Sequence, residues 1–255
     1  MSRFDNKVVA ITGGSGGIGI AAGKLFSSEG AKVLLVDLNE DALKRAVAEI
    51  GSDDVSYAVA DVTNADQVAA YTQLAVSRYG GLDVLLANAG IEGSVMGITD
   101  YPVETFEKVL AVNVTGVFLG IKHAMPEMAK RGGGSIVVTS SVAGVKGGPG
   151  LCAYTTSKHA VIGLMRSASN EGAPIGVRVN TVNPAPVETR MMRSLEEGMA
   201  PGAGDQAKVG IASSIPLGRY GEPSEVADMM AFLSSDAAAF CTGGVYMVDG
   251  GSSSK

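Results

Sequence analysis

The chain has 255 residues, of which 46% are hydrophobic and only 18% charged. That length fits one large domain or two small ones, and the low charge argues for a large core or for surface hidden in an oligomer, against disorder. Twenty basic residues against 26 acidic ones leave a net charge of −6, which weighs against nucleic acid or an anionic membrane as the main partner, since both reward a basic face.

Along the chain, short apolar runs alternate with helical patterns. Residues 7–12 (Lys-Val-Val-Ala-Ile-Thr) form an apolar run ending in glycines, and 17–29 carry a helical pattern. The run at 32–37 precedes a polar-faced helix near 40–50. Further runs at 55–60, 83–87, 134–140, 175–182 and 245–248 alternate with helical stretches at 64–79, 103–130, 153–172 and 223–234. Seven uninterrupted Val- and Ile-rich runs predict strands buried on both faces. Their alternation with helices predicts an α/β fold with a parallel sheet and right-handed crossovers, in one domain spanning 1–255. Pro126 predicts a kink or a split in 103–130. The segment 185–215 breaks the cycle, carries Pro, Gly and three Met, and reads as a partly helical insertion of the kind that forms lids; an ordinary surface excursion is the plainer alternative.

No apolar stretch approaches the ~20 residues that a membrane helix needs. The opening Met-Ser-Arg-Phe-Asp-Asn-Lys places Asp5 and Lys7 where a signal peptide needs apolar residues, so the expected location is cytoplasmic. Two cysteines, Cys152 and Cys241, with no CxxC, and two histidines, His123 and His159, disfavour a disulfide scaffold and a zinc site. No metal is expected.

Glycine is over-used, at 35 residues, and clusters in turns where the backbone needs freedom from a Cβ. Residues 12–19, Thr-Gly-Gly-Ser-Gly-Gly-Ile-Gly, follow the first strand and open a helix. That is the context of a dinucleotide loop, in which backbone N–H groups and the helix dipole meet a pyrophosphate. The second strand ends in Asp37, 18 residues after Gly19. An acid there accepts from the adenosine ribose hydroxyls and repels a 2′-phosphate, which favours NAD over NADP. The same letters contain Gly13-x-Ser15-x-Gly17, the pattern of a hydrolase nucleophile elbow. No histidine follows in a late loop to serve it. A Walker loop fails for want of Gly-Lys-Ser/Thr.

Residues 135–141 form a strand ending in hydroxyls, and Tyr154 and Lys158 share one face of the next helix at i and i+4. An ammonium ~4 Å from a phenol is worth about 4 kcal/mol at an effective dielectric near 20. That is roughly three pK units, enough to bring a tyrosine near 7. Ser141 is then placed to hold a substrate oxygen beside Tyr154.

With these motifs assembled, the sequence resembles the short-chain dehydrogenase/reductases from end to end. Thr12-Gly13-x-x-x-Gly17-x-Gly19 matches the cofactor loop of that family, with Ser15 and Ile18 inside it, and Asp37-Leu38 the end of its second strand. Asp61-Val62 matches the pair at the adenine, Asn88-Ala89-Gly90 the motif after strand four, and Arg178-Val-Asn180 with Asn183-Pro184 the sixth strand and its exit. Asn113, Ser141, Tyr154 and Lys158 match the catalytic tetrad. Val187 and Thr189 fall where the nicotinamide is held. Two positions depart from the pattern: Ala87 stands where Asn is common, and Ala185-Pro186 where Gly follows the strand-six proline.

The resemblance implies a Rossmann-type doubly wound seven-stranded parallel sheet with helices on both faces. It implies Tyr154 as general acid or base, Lys158 on the nicotinamide ribose, Ser141 on the substrate oxygen, and Asn113 at a loosened turn of helix holding a water. It also implies a pocket lined by Glu92, Val95, Ala143, Val145 and Leu151, closed by Cys152, Pro186, Met191 and Met192. These are mostly apolar, with no Arg or Lys to clamp an acid, so the expected substrate is an uncharged, hydrophobic or cyclic secondary alcohol or its ketone. A homotetramer is implied, through the helices near 103–130 and 153–172 and through the C-terminal strand region. The alternatives are a 3-oxoacyl-thioester reductase of the same fold, against which Asp37 argues, and a silent NAD-binding regulatory protein, against which the tetrad argues.

Overall fold

The computed structural model describes residues 2–254. The seven runs form seven strands: β1 (Val8–Thr12), β2 (Lys32–Asp37), β3 (Val55–Val59), β4 (Val84–Ala87), β5 (Gly134–Thr139), β6 (Val177–Pro184) and β7 (Val245–Val248). They pair in parallel in the order β3-β2-β1-β4-β5-β6-β7. This is the doubly wound Rossmann-type sheet. The order reverses between β1 and β4, which opens a crevice beyond their C-terminal ends.

Side chains alternate across each strand. Val9, Ile11, Val33 and Leu35 enter one core, under α1 (Gly17–Ser28), α2 (Glu40–Ile50) and α9 (Pro223–Ser234). Val8, Ala10, Leu34 and Val36 enter the other, under α3 (Ala65–Tyr79), α5 (Gly116–Lys130) and α6 (Cys152–Gly172). Both faces being covered explains why the runs read as continuously apolar. Asn39 and Asn64 start α2 and α3 by accepting the Ala42 and the Asp66 and Gln67 N–H groups, each satisfying donors the helix leaves free.

The stretch 103–130 divides, but not at Pro126. Helix α4 (Val103–Leu110) passes through a π turn at Ala111–Thr115 into α5, which runs on through Pro126. Pro126 forfeits one backbone bond near the end of α5, while Ala124 and Met128 on either side are fully buried and hold the turn in place. On length and composition this continuous run is long and apolar enough to cross a membrane, which the expectation of no such stretch missed. Val117, Leu119, Ile121, Ala124 and Met128 pack instead into the core beneath the sheet. The segment 185–215 holds two helices, α7 (Arg190–Met199) and α8 (Gly204–Ser214), beside the crevice.

Candidate active site

Thr12 ends β1 at the crevice. Its Oγ1 accepts the N–H groups of Asn88 at 3.0 Å and Ala89 at 3.1 Å. The Asn88 amide donates to Thr12 O and accepts from Thr139 Oγ1 at 3.1 Å. The ends of β1, β4 and β5 are thereby stitched into one floor, with Gly90 beside Asn113 and Lys158. Ala87, where the family has Asn, is buried in the core.

The glycine loop turns above this floor. Gly13 takes φ +65°, and a Cβ on it would come 2.9 Å from the Ala89 Cα. A Cβ on Gly19 would lie 2.3 Å from Gly13 O. Helix α1 starts behind Gly16 with no side-chain cap and no acid in its first turn. Its first-turn N–H groups are therefore left to the crevice without a side chain of their own helix to compensate them, as an anion site requires. Ile18 buries its side chain against the core, leaving its backbone to the loop. Asp37 Oδ2 accepts from Ser15 Oγ at 2.6 Å and from the Ser15 N–H at 3.2 Å, and Oδ1 from the Leu38 N–H at 2.8 Å. The carboxylate thus sits at the end of β2 against the loop. Asp61 accepts from the backbone and hydroxyl of Thr63, and Val62 packs against Gly116. A glycine cradle at an open helix N-terminus, with a carboxylate at the end of the second strand, fits a dinucleotide.

Asn113 occupies the π turn, 1% exposed. It accepts the Ile91 N–H at 2.8 Å and donates to Ile91 O and Ser157 Oγ, each at 2.9 Å. The helix is loosened here, and both amide N–H groups of Asn113 are spent on protein partners. Ser141 Oγ accepts the Ala143 N–H at 3.1 Å, and Asn183 Nδ2 donates to Ser141 O at 3.0 Å.

Lys158 departs from the expectation. Its Nζ donates to Thr139 O at 2.8 Å and lies 5.4 Å from the centre of the Tyr154 ring. Burial lowers its pKa to about 8. The Tyr154 phenol is pushed up by burial; a hydrogen bond from Ser141 pulls it down, and the Glu92 carboxylate pushes it up again. The sequence argument had Tyr154 lowered by a charged neighbour. In this arrangement desolvation dominates, because it acts on both groups and favours the neutral form of each.

On the opposite wall, Pro184 ends β6 and Ala185 N–H donates to Val248 O at 3.1 Å. Among the described non-glycine residues only Asn6 has positive φ, so Ala185 fills the family's glycine position without strain. Val187 is buried and bridges to Gly221. Thr189 caps α7, accepting the Met192 N–H at 3.4 Å, and its Cγ2 lies against Gly17.

The pocket candidates gather on three segments. Met96 bridges to Leu151, which precedes Cys152 at the start of α6. Val95 lies where a Cβ on Gly198 of α7 would come 2.9 Å from its Cγ2. Ala143 caps back onto Ser141, while Val145 is largely exposed at the rim. Pro186 O accepts the Gly221 N–H, and Met191 and Met192 are half-buried in the first turn of α7. Sequence reasoning overlooked Thr139 and Ser157, which fix Lys158 and Asn113. The packing of α6 against the end of β5 brings Thr139 O to Lys158, and no spacing announces it.

A family model described as enoyl-(acyl carrier protein) reductase matches residues 13–253. A levodione reductase of Leifsonia aquatica is 37% identical over 256 residues, 99% of this chain and 96% of that protein. A cyclohexanol dehydrogenase of Acinetobacter is 36% identical, covering all of this chain and 98% of its own. A 3-oxoacyl-[acyl-carrier-protein] reductase of Thermotoga maritima is 39% identical, covering 98% of both. Among solved structures, levodione reductase matches with a TM-score of 0.96 at 37% identity over 99% of each chain. An NAD+-bound xylitol dehydrogenase matches with 0.90 at 33%, over 96% of this chain and 98% of its own. Near-complete coverage in both directions, on a sheet whose crevice carries the same motifs, makes this chain a member of the short-chain dehydrogenase/reductase family of oxidoreductases.

Proposed function

We propose that the chain interconverts an uncharged, hydrophobic or cyclic secondary alcohol and its ketone, with NAD as cofactor. The observation that carries this reading is Tyr154, partly buried beside Ser141 and Lys158, at the end of a crevice whose glycine cradle terminates in Asp37. The relatives that act on cyclic compounds by name, levodione reductase and cyclohexanol dehydrogenase, support the substrate class, and the NAD+-bound neighbour supports the cofactor.

The backbone of the glycine loop and the open end of α1 would hold the pyrophosphate, Asp37 the adenosine ribose, Lys158 the nicotinamide ribose, and Val187 and Thr189 the nicotinamide. NAD supplies the hydride acceptor for the alcohol and, reduced, the hydride donor for the ketone. Ser141 positions the substrate oxygen. Tyr154 removes its proton in oxidation and returns one in reduction. Contact with the ribose hydroxyls would draw Lys158 Nζ away from Thr139 O and toward the phenol, restoring the attraction that lowers Tyr154. The segment 185–215 serves as the lid over this pocket. The assembly is a homotetramer, favoured by exposed Phe118 on α5 and fully exposed Phe240 before β7.

The test is NADH formation from NAD+ or NADP+ with a panel of cyclic, linear and acidic secondary alcohols. Turnover with NAD+ and a cyclic, uncharged alcohol is expected. Preference for NADP+ or for acidic or carrier-bound substrates would overturn this reading in favour of the thioester reductase. The relative of that name is as similar as the others, but Asp37 at the end of β2 opposes the extra phosphate.

A further inference from the structure

Glu188 stands between Val187 and Thr189, the two residues assigned to the nicotinamide, yet its side chain turns away from the crevice. Its carboxylate pairs with Arg193 Nη2 of α7 at 3.2 Å through Oε2 and with Lys208 Nζ of α8 at 2.6 Å through Oε1. Arg193 also reaches Glu196 Oε1 at 2.9 Å, and Glu196 is 1% exposed. The ring of Tyr220, itself buried, takes the Arg193 guanidinium at 5.7 Å and the Lys208 ammonium at 5.5 Å. The backbone on both sides is pinned: the Glu188 N–H donates to Gly221 O at 2.9 Å, and Gly221 N–H to Pro186 O at 3.0 Å. Two acids and two bases from three segments therefore close on one aromatic ring, with no net charge.

Glu188, Arg193, Glu196 and Lys208 are none of the residues assigned above to cofactor or substrate. The cluster is the only place among the described residues where one side chain forms ion pairs with both α7 and α8. Its members are at most about a third exposed, apart from Arg193 at slightly more. Screening is weaker there than for a surface pair. Val95 approaches Gly198 closely at the opposite end of the helix, and Leu195 is buried between. Helix α7 is thus fastened at its start by charge and at its end by a close apolar approach.

We propose that Glu188 is a positioning residue, clasping both lid helices to the strand exit that carries Val187 and Thr189, so that the lid and the nicotinamide wall move as one body. The clasp rests on the reading of 185–215 as the lid of a dehydrogenase pocket. Its loss would free α7 and α8 to lift from the pocket while leaving the glycine loop, Tyr154 and Lys158 untouched.

The experiment compares Glu188→Gln and Lys208→Met with the parent, alone and combined, by steady-state kinetics with the best alcohol of the panel and by limited proteolysis at the Met199–Gly204 connection. Each single variant is expected to raise KM for the alcohol by about fivefold or more, with kcat changed less than twofold and NADH affinity retained. Each should speed cleavage of that connection, and the double variant should be little worse than Glu188→Gln alone, because the Glu188–Lys208 pair is already broken in it. Unchanged KM and cleavage rate in both variants would overturn the proposal, as would effects that simply multiply in the double variant. Equal loss of kcat and NADH affinity would also overturn it, since that marks collapse of the site. The proteolysis does not depend on turnover. Faster cleavage in a protein that oxidises no alcohol would uphold the clasp and fail the functional reading instead.

Discussion

Lys158 and Tyr154 are both driven toward their neutral forms in the crevice, and this has a cost that can be measured. The Lys158 pKa of about 8 lies below its ordinary 10.5. Between pH 8 and 10.5 the unfolded lysine holds a proton that the folded one has released, so stability rises with pH across that window. Below pH 8 the folded protein bears the full penalty, up to about 3 kcal/mol, less about 1 kcal/mol for the bond to Thr139 O. Lys158→Met is therefore expected to be more stable than the parent at pH 7 by about 2 kcal/mol. The gain should fade as pH rises from 8 to 10.5 in urea denaturation, while turnover is lost. Tyr154→Phe should lower turnover by at least about 100-fold, the scale of general acid–base catalysis, with NADH binding by fluorescence unchanged. Asp37→Ser removes both the carboxylate that opposes a 2′-phosphate and the bonds that hold Ser15. The expected result is a fall in the NAD+ over NADP+ preference of at least about tenfold, about 1.4 kcal/mol, with some loss of NAD+ affinity as well.

Among elements, the glycine loop and the π turn show two ways of placing a functional group. The loop works by close approach: with a Cβ on Gly19 only 2.3 Å from Gly13 O, the turn cannot keep its shape. Gly19→Ala should fold, because the position lies within a helix where alanine is favoured. It should lose NADH affinity by at least about tenfold, read by the same fluorescence titration. The π turn works by inserting one residue, which rotates Asn113 inward to the Ile91 backbone. The strands and helices were legible as runs and periodicities because sheet strands covered on both faces leave an unbroken apolar signature. Pro126 misled, since it announced a break that the buried neighbours of α5 suppress. The real discontinuity at 111–115 carries no Gly or Pro inside it, and Asn113 had been placed at a loosened helix only through the family resemblance.

For the whole molecule, low charge predicted hidden surface, and Phe118 and Phe240 remain exposed in the single chain, at 46% and 104%. If these faces meet their symmetry mates, the parent should sediment at four times the chain mass. Phe118→Glu or Phe240→Glu should each reduce it to half, because burying a carboxylate without a partner costs several kcal/mol at each interface.

The sequence by itself determined the class of fold, and it marked the glycine loop with Asp37 behind it and the hydroxyl-ended strand followed by Tyr154 and Lys158 as the proposed site. These are carried by contiguous runs and short spacings, which constrain the chain locally. Only the tertiary structure decided where the side chains point. Lys158 turns to Thr139 O, Asn113 spends its amide on Ile91 and Ser157, and Glu188 faces α7 and α8, not the crevice. Each of these partners lies on another segment of the chain, and the choice among them is made by sheet register, burial and helix packing, which no local pattern encodes.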